Sequence, residues 1–177
     1  MTALIVNCIA GPGAGKSSLT ASIFAGLKWA DVNCEMALEF AKDVVWEESY
    51  NILTNQVYVF AQQLQRLHRL EEKVDVIITD SPLLLSIAYG EHYAIRVPAL
   101  KSLVLEEHRR RSNINFFIKR VKPYRTAGRM QTEDEARALD VTIKNLLDTY
   151  GEPYIELEGK PESAAIAVRI ILERLRK

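Results

Sequence analysis

AGPGAGKSS, residues 10–18, is the stretch on which the fold turns. It has the spacing of a phosphate-binding loop, G-x-x-x-x-G-K-[ST], with Ala10 where the pattern asks for glycine. Such a loop works only between a strand and a helix, because the helix N-terminus supplies free N–H groups and the positive end of the dipole. The chain provides both elements. Residues 3–9 form a predominantly apolar run of strand length, stopped by Gly11 and Gly13. Residues 16–29 follow, with Leu19, Ile23, Phe24 and Leu27 at helical spacing. In that setting the backbone N–H groups of residues 13–17 line a small anion-binding concavity. Lys16 is placed to reach β- and γ-phosphates, and the Ser17 hydroxyl to bind Mg²⁺. A methyl group at Ala10 is tolerable where strand becomes loop, provided its backbone stays in an ordinary conformation.

Composition bounds the rest. With 177 residues and 48% hydrophobic content, one domain with a full core is expected over residues 1–177, without space for the second domain of a hexameric motor. No run of 18 apolar residues offers a membrane span, and the start lacks the basic and long apolar regions of a secretory signal. A soluble, intracellular protein that does not enter membranes is expected. Cys8 and Cys34 lie in apolar runs and are expected as small buried hydrophobes. His68, His92 and His108 have no metal-site spacing. The net charge is zero but unevenly spread. Residues 109–129 carry Arg109, Arg110, Arg111, Lys119, Arg120, Lys122, Arg125 and Arg129 without an acid, whereas residues 31–48 are mostly acidic. Such segments are either solvated faces or the two sides of a site that handles phosphates and metal.

Further along, Cys34, Met36 and Leu38 mark a second strand, and residues 40–50 and 51–72 read as helices. The second of these has Asn51 as its N-cap and Val57, Phe60, Ala61, Leu64 and Leu67 on one face. Residues 74–79 and 113–118 are two more strands, with residues 83–111 mostly helical between them and Pro98 starting or breaking a helix. Thr132 to Glu135 is a capping box opening a helix that stops at Gly151. Residues 154–157 are the fifth strand, and Pro161 falls in the first turn of the last helix. Strands separated by helices, without hairpin signals or repeats, give an α/β three-layer sandwich around a five-stranded parallel sheet.

The strand at 74–79 ends in Asp80, which brings a carboxylate to the edge of the sheet that holds the phosphate loop, where it can join Ser17 in binding Mg²⁺. The guanine-binding pattern N-[TS]-K-x-D is absent, which disfavours a GTPase switch. A kinase needs a cover for the phosphates, and the segment from about 119 to 131 has the composition of a lid. In it Arg120 and Arg129 are the candidates to stabilise the transferring phosphoryl, a task for planar, permanently charged donors. A kinase also needs a base for its acceptor. Glu39, at the end of the second strand, is that candidate, with Asp43 as the alternative carboxylate and Lys42 placed for an acceptor phosphate. The competing role for Glu39 is to cap the helix that follows. Trp46, Tyr50, Tyr58 and Phe60 lie nearby, with Trp46 and Tyr58 the candidates to stack on an acceptor base, or else core.

The set GPGAGKSS, EFAKDVVWEE, QVYVFAQQLQRL, VIITDSPLLLSIAYG and VKPYRTAGRMQTEDEA resembles small P-loop kinases of the nucleoside and nucleotide kinase kind. Glu39 with Lys42 is similar to the acceptor motif of polynucleotide kinases, with Lys where they have Arg. More closely, residues 1 to about 140 resemble phage-encoded P-loop kinases that include the 5-hydroxymethyluracil DNA kinases. The resemblance implies strand order 2-3-1-4-5 and an ATP site made of Gly11, Gly13, Ala14, Gly15, Lys16, Ser17 and Ser18. It implies ATP and Mg²⁺ as cofactors, and as acceptor the 5-hydroxymethyl group of a modified base in phage DNA, in the host cytoplasm. The alternatives are a kinase of free nucleosides or deoxynucleoside monophosphates, and a nucleotide-binding regulator without catalysis.

Overall fold

The computed structural model describes residues 3–93, 97–125 and 131–176. Five parallel strands form one sheet: β1 (Leu4–Ile9), β2 (Cys34–Ala37), β3 (Val76–Thr79), β4 (Ser112–Lys119) and β5 (Ile155–Glu158), ordered β2-β3-β1-β4-β5. This is the expected order. The central strand β1 pairs with β3 from Leu4↔Val76 to Asn7↔Thr79, and with β4 from Leu4↔Ser112 to Ile9↔Phe117. The register brings the ends of β1, β2 and β3 to one edge, where their connecting loops gather.

Among the described residues, seven α-helices cover the sheet: α1 (Lys16–Trp29), α2 (Phe40–Trp46), α3 (Gln56–His68), α4 (Leu85–His92), α5 (Pro98–Arg109), α6 (Glu133–Tyr150) and α7 (Glu162–Leu175). The period-2 alternation of a strand divides the core in two. Leu4, Val6 and Cys8 join Val76, Ile78, Phe116 and Ile118 under α1 and α7. Ile5 and Ile9 join Ile77 and Phe117 under α3, α4, α5 and α6. Both cysteines are buried and free, and burial pushes the Cys8 thiol up to about 12. At the described residues, no helix is long and apolar enough to cross a membrane.

Helix α6 opens with the expected capping box: the Thr132 hydroxyl accepts from Glu135 N, and the Glu135 carboxylate accepts from Thr132 N at 2.7 Å. It ends at Gly151, whose left-handed backbone (φ 64°) suits glycine. Pro161 stands one position before α7 rather than inside its first turn. The region around α3 departs further from expectation. Residues 50–54 form a short 3₁₀ turn, so the cap is Asn55, which accepts from Tyr58 N at 3.1 Å, and not Asn51. The buried face of α3 is Gln56, Phe60, Gln63 and Leu67, while Val57 and Ala61 face solvent. An apolar count misses this face because two of its members are glutamines whose amides find partners inside the protein.

Candidate active site

The loop between β1 and α1 departs from ordinary backbone only at its glycines. Gly13 (φ 79°) and Gly15 (φ 103°) are left-handed. Gly11 has a different reason to lack a side chain: a Cβ there would stand 2.7 Å from the Ala136 carbonyl and 2.8 Å from an Asp140 oxygen. Ala10 is fully buried in the α1–α7 half of the core and is not among the residues with positive φ, so its methyl group does not distort the loop. Ala14 is buried behind the loop, and a Cβ on Gly159, from the turn between β5 and α7, would fall 2.1 Å from its carbonyl oxygen. The Lys16 ammonium donates to Gly11 O at 3.0 Å, and Ser18 lies in the wall of the adjoining cavity.

Asp80 ties three elements together. One oxygen accepts from the Ser17 hydroxyl at 2.5 Å and the other from Glu39 N at 3.1 Å, which fixes the end of β2 to the phosphate loop. A hydroxyl and a carboxylate side by side at a phosphate site fit Mg²⁺, which takes one or two protein oxygens and completes its octahedron with phosphate and water. Among the described residues no cluster of three or more His, Cys, Asp and Glu side chains forms a metal cage.

From the loop a cavity of about 340 Å³ opens between α2, α3 and α4. Glu39, Lys42 and Trp46 line it on the α2 side, with Gln56, Val59 and Gln63 from α3 and Ser86, Tyr89 and Tyr93 from the α4 side. Glu39 occupies the cap position of α2, but its side chain makes no capping hydrogen bond, which leaves the carboxylate free of the role that competes with catalysis. Burial raises its pKa, and the Lys16 charge opposes that rise. Burial likewise holds the Tyr89 hydroxyl well above its ordinary value, reinforced by Glu39.

Two acceptor candidates fall elsewhere. Asp43, one turn beyond Glu39, forms an ion pair with Arg66 of α3 and does not line the cavity. Tyr58 packs edge-on against Phe40 with ring centroids 5.8 Å apart, also outside the cavity. Phe60 is core and Tyr50 is partly exposed. The aromatic lining is instead Trp46, two-thirds exposed, with Tyr89 and Tyr93, whose rings stack at 6.3 Å. Gln63 links the start of α2 to the end of β3: it accepts from Phe40 N at 3.0 Å and its amide lies 3.5 Å from the Thr79 hydroxyl. The signal for the tyrosines is their four-residue spacing in SIAYGEHY, and nothing local marks Gln63.

Of the lid, residues 126–130, including Arg129, lie outside the described residues. Arg120 is 4% exposed and donates to one Asp140 oxygen through Nε (3.2 Å) and Nη2 (2.9 Å). Elsewhere the basic run is largely neutralised. Arg109 meets Glu152, Arg110 meets Glu107, Arg111 meets Glu71 and Glu107, and Lys119 meets Glu156.

Residues 6–163 match a protein-family model described as AAA domain. No curated protein sequence matches the chain. A solved structure described as the crystal structure of NadR protein in complex with NR superposes with a TM-score of 0.64, covering 88% of this chain and 43% of that one. The two are 14% identical, so the likeness is one of fold, and this chain spans less than half of that protein's length. The P-loop kinase-like sheet order and the family match, which runs from the first strand into the last helix, lead to one conclusion: the chain belongs to this AAA-domain family of P-loop proteins.

Proposed function

We propose that the protein is an ATP-dependent kinase that moves the γ-phosphoryl group to a hydroxyl of a nucleotide-type acceptor bound between α2, α3 and α4. The observation that carries this reading is Glu39: an uncommitted carboxylate with a raised pKa, in the wall of a cavity that begins at the phosphate loop. Lys16 and the loop amides of residues 11–18 hold the triphosphate, and Ser17 with Asp80 would hold Mg²⁺, which when bound neutralises charge on the β- and γ-phosphates. Glu39 accepts the proton of the acceptor hydroxyl. That oxygen bonds to the γ-phosphorus while the bond from phosphorus to the β–γ bridging oxygen breaks, and ADP leaves with the electron pair. Arg120, with Arg129 of the lid, stabilises the charge on the transferring group. Lys42 meets an acceptor phosphate as a point charge, and Trp46 with Tyr89 and Tyr93 encloses a flat base.

Two acceptor classes compete within this reading. The motif resemblance supports a 5-hydroxymethylated pyrimidine in DNA, whose nucleotide would leave the stack to enter the cavity. The pairing of Arg109, Arg110, Arg111 and Lys119 with carboxylates favours a free nucleoside or monophosphate, because few cations remain in that run to follow a DNA backbone. The test is incubation with γ-labelled ATP and, separately, hydroxymethyluracil DNA, unmodified DNA, free nucleosides and monophosphates. Label in modified DNA alone supports the first class and label in the small molecules the second. No label in any acceptor would leave a nucleotide-binding regulator.

A further inference from the structure

Asp140, on α6, belongs to none of the motifs in the sequence, yet it touches two parts of the nucleotide site at once. Its Oδ1 accepts from Gly11 N, in the phosphate loop, at 2.7 Å. Its Oδ2 accepts from both Nε and Nη2 of Arg120. The remaining nitrogen of that guanidinium, Nη1, is buried and has no hydrogen-bond partner among the described residues. It is directed at the phosphate loop, 3.1 Å from the point where a Cβ on Gly13 would stand, and Gly13 lines the cavity. A buried charged donor without an acceptor costs free energy that an arriving anion returns. The Tyr124 ring, its centroid 5.7 Å from the guanidinium carbon, stands 2.9 Å from the same point, so ring and nitrogen together cover Gly13.

We propose that Asp140 is a positioning residue which locks Arg120 against the phosphate loop, so that Nη1 is held ready for the terminal phosphate and the site distinguishes ATP from ADP. Through its second oxygen Asp140 sets the arginine and the loop at one fixed separation. Arg120 is the residue that meets the ligand, and Asp140 acts through it. The inference rests on the nucleotide half of the proposed function and needs no acceptor.

The measurement is the affinity of the full-length chain for adenylyl imidodiphosphate and for ADP, by calorimetry, in wild type, Asp140→Asn, Arg120→Ala and the double variant. Asparagine keeps an oxygen for Gly11 N but removes the carboxylate from Arg120. Charge-assisted hydrogen bonds of this kind contribute about 1.5–3 kcal/mol, or roughly 10- to 100-fold in affinity. The expected result is that wild type prefers the triphosphate analogue by at least about tenfold, that each single variant loses most of that preference with ADP affinity little changed, and that the double variant is no worse than Arg120→Ala. Circular dichroism and melting temperature identify any variant that fails to fold, and Asp140→Glu, which retains the carboxylate, then replaces it and should recover part of the preference. A triphosphate preference left intact in Asp140→Asn or Arg120→Ala would overturn the proposal. So would an equal loss for both nucleotides in Asp140→Asn, which would mean that Asp140 only shapes the loop. A triphosphate preference present in wild type and lost in both single variants, together with no labelled acceptor, would sink the kinase reading and leave this coupling standing.

Discussion

Glu39 acquires its chemistry from position more than from its neighbours in sequence. The end of β2 is fixed to Asp80 through Glu39 N, so the side chain enters the cavity instead of folding back on α2. Burial raises its pKa above the ordinary 4.5. A general base must be deprotonated, so turnover should rise with pH through that raised value, with its half-point above 4.5. Glu39→Gln should lower the chemical rate roughly 10²- to 10⁴-fold, leave ATP affinity intact and flatten the acid limb of the rate profile. If the variant loses ATP affinity instead, Glu39 belongs to the metal shell. Lys16→Ala, in contrast, should abolish turnover while the protein still melts cooperatively, because the role proposed for the lysine is toward the phosphates and its neighbours in the loop are held by backbone geometry. Near wild-type turnover in that variant would remove the loop from the mechanism.

The placement of the phosphate loop, Asp80 and Glu39 is legible in the sequence because each follows a strand closely. That of Gln63 and Asp140 is not, since their partners Phe40 and Gly11 are 23 and 129 positions away and only the fold brings them together. The α3 face failed for a related reason, as apolar periodicity has no means of counting a glutamine that is satisfied in the interior. Among elements, the turn between β5 and α7 makes the tightest contact with the loop. Gly159 donates to Lys119 O at 2.9 Å, and a Cβ on it would stand 2.1 Å from the Ala14 carbonyl oxygen. Backbone on both sides cannot give way by the roughly 1 Å that a methyl group requires. Gly159→Ala should therefore displace the phosphate loop, lower ATP affinity at least tenfold and depress the melting temperature. Thr132→Ala, at the opposite end of the lid, should cost only about 1 kcal/mol through loss of the α6 cap and leave ATP affinity unchanged. Thermal denaturation and nucleotide titration of the two variants separate these effects, and an unaffected ATP affinity in Gly159→Ala would show that the loop adjusts.

Across the whole molecule the zero net charge conceals a division of labour among the cations. The run that begins at Arg109 has the look of a polyanion track in sequence, yet its first members are paired with carboxylates. Arg111 is 4% exposed and shared between Glu71 and Glu107, and Arg109 joins Glu152 beside the buried His108, whose pKa burial lowers. Removing one partner from such a buried cluster leaves carboxylates uncompensated, so Arg111→Ala should destabilise the protein by about 3 kcal/mol. Arg111 is then unavailable to phosphates without dismantling the packing around it, and Arg109 and Arg110 would have to leave their carboxylates. If the acceptor is a base in DNA, the consequence is measurable in the salt dependence of binding. Each phosphate neutralised contributes about −0.9 to the slope of log affinity against log salt on duplex DNA. A site that engages one extruded nucleotide and its neighbours, through Lys42 and the lid, should show a shallow slope of about −2 to −3 between 50 and 200 mM salt, read by fluorescence anisotropy with hydroxymethyluracil DNA. A slope steeper than about −5 would mean that the arginines from 109 to 111 leave their carboxylates for the backbone, and the electrostatic assignment of this face would have to be reversed.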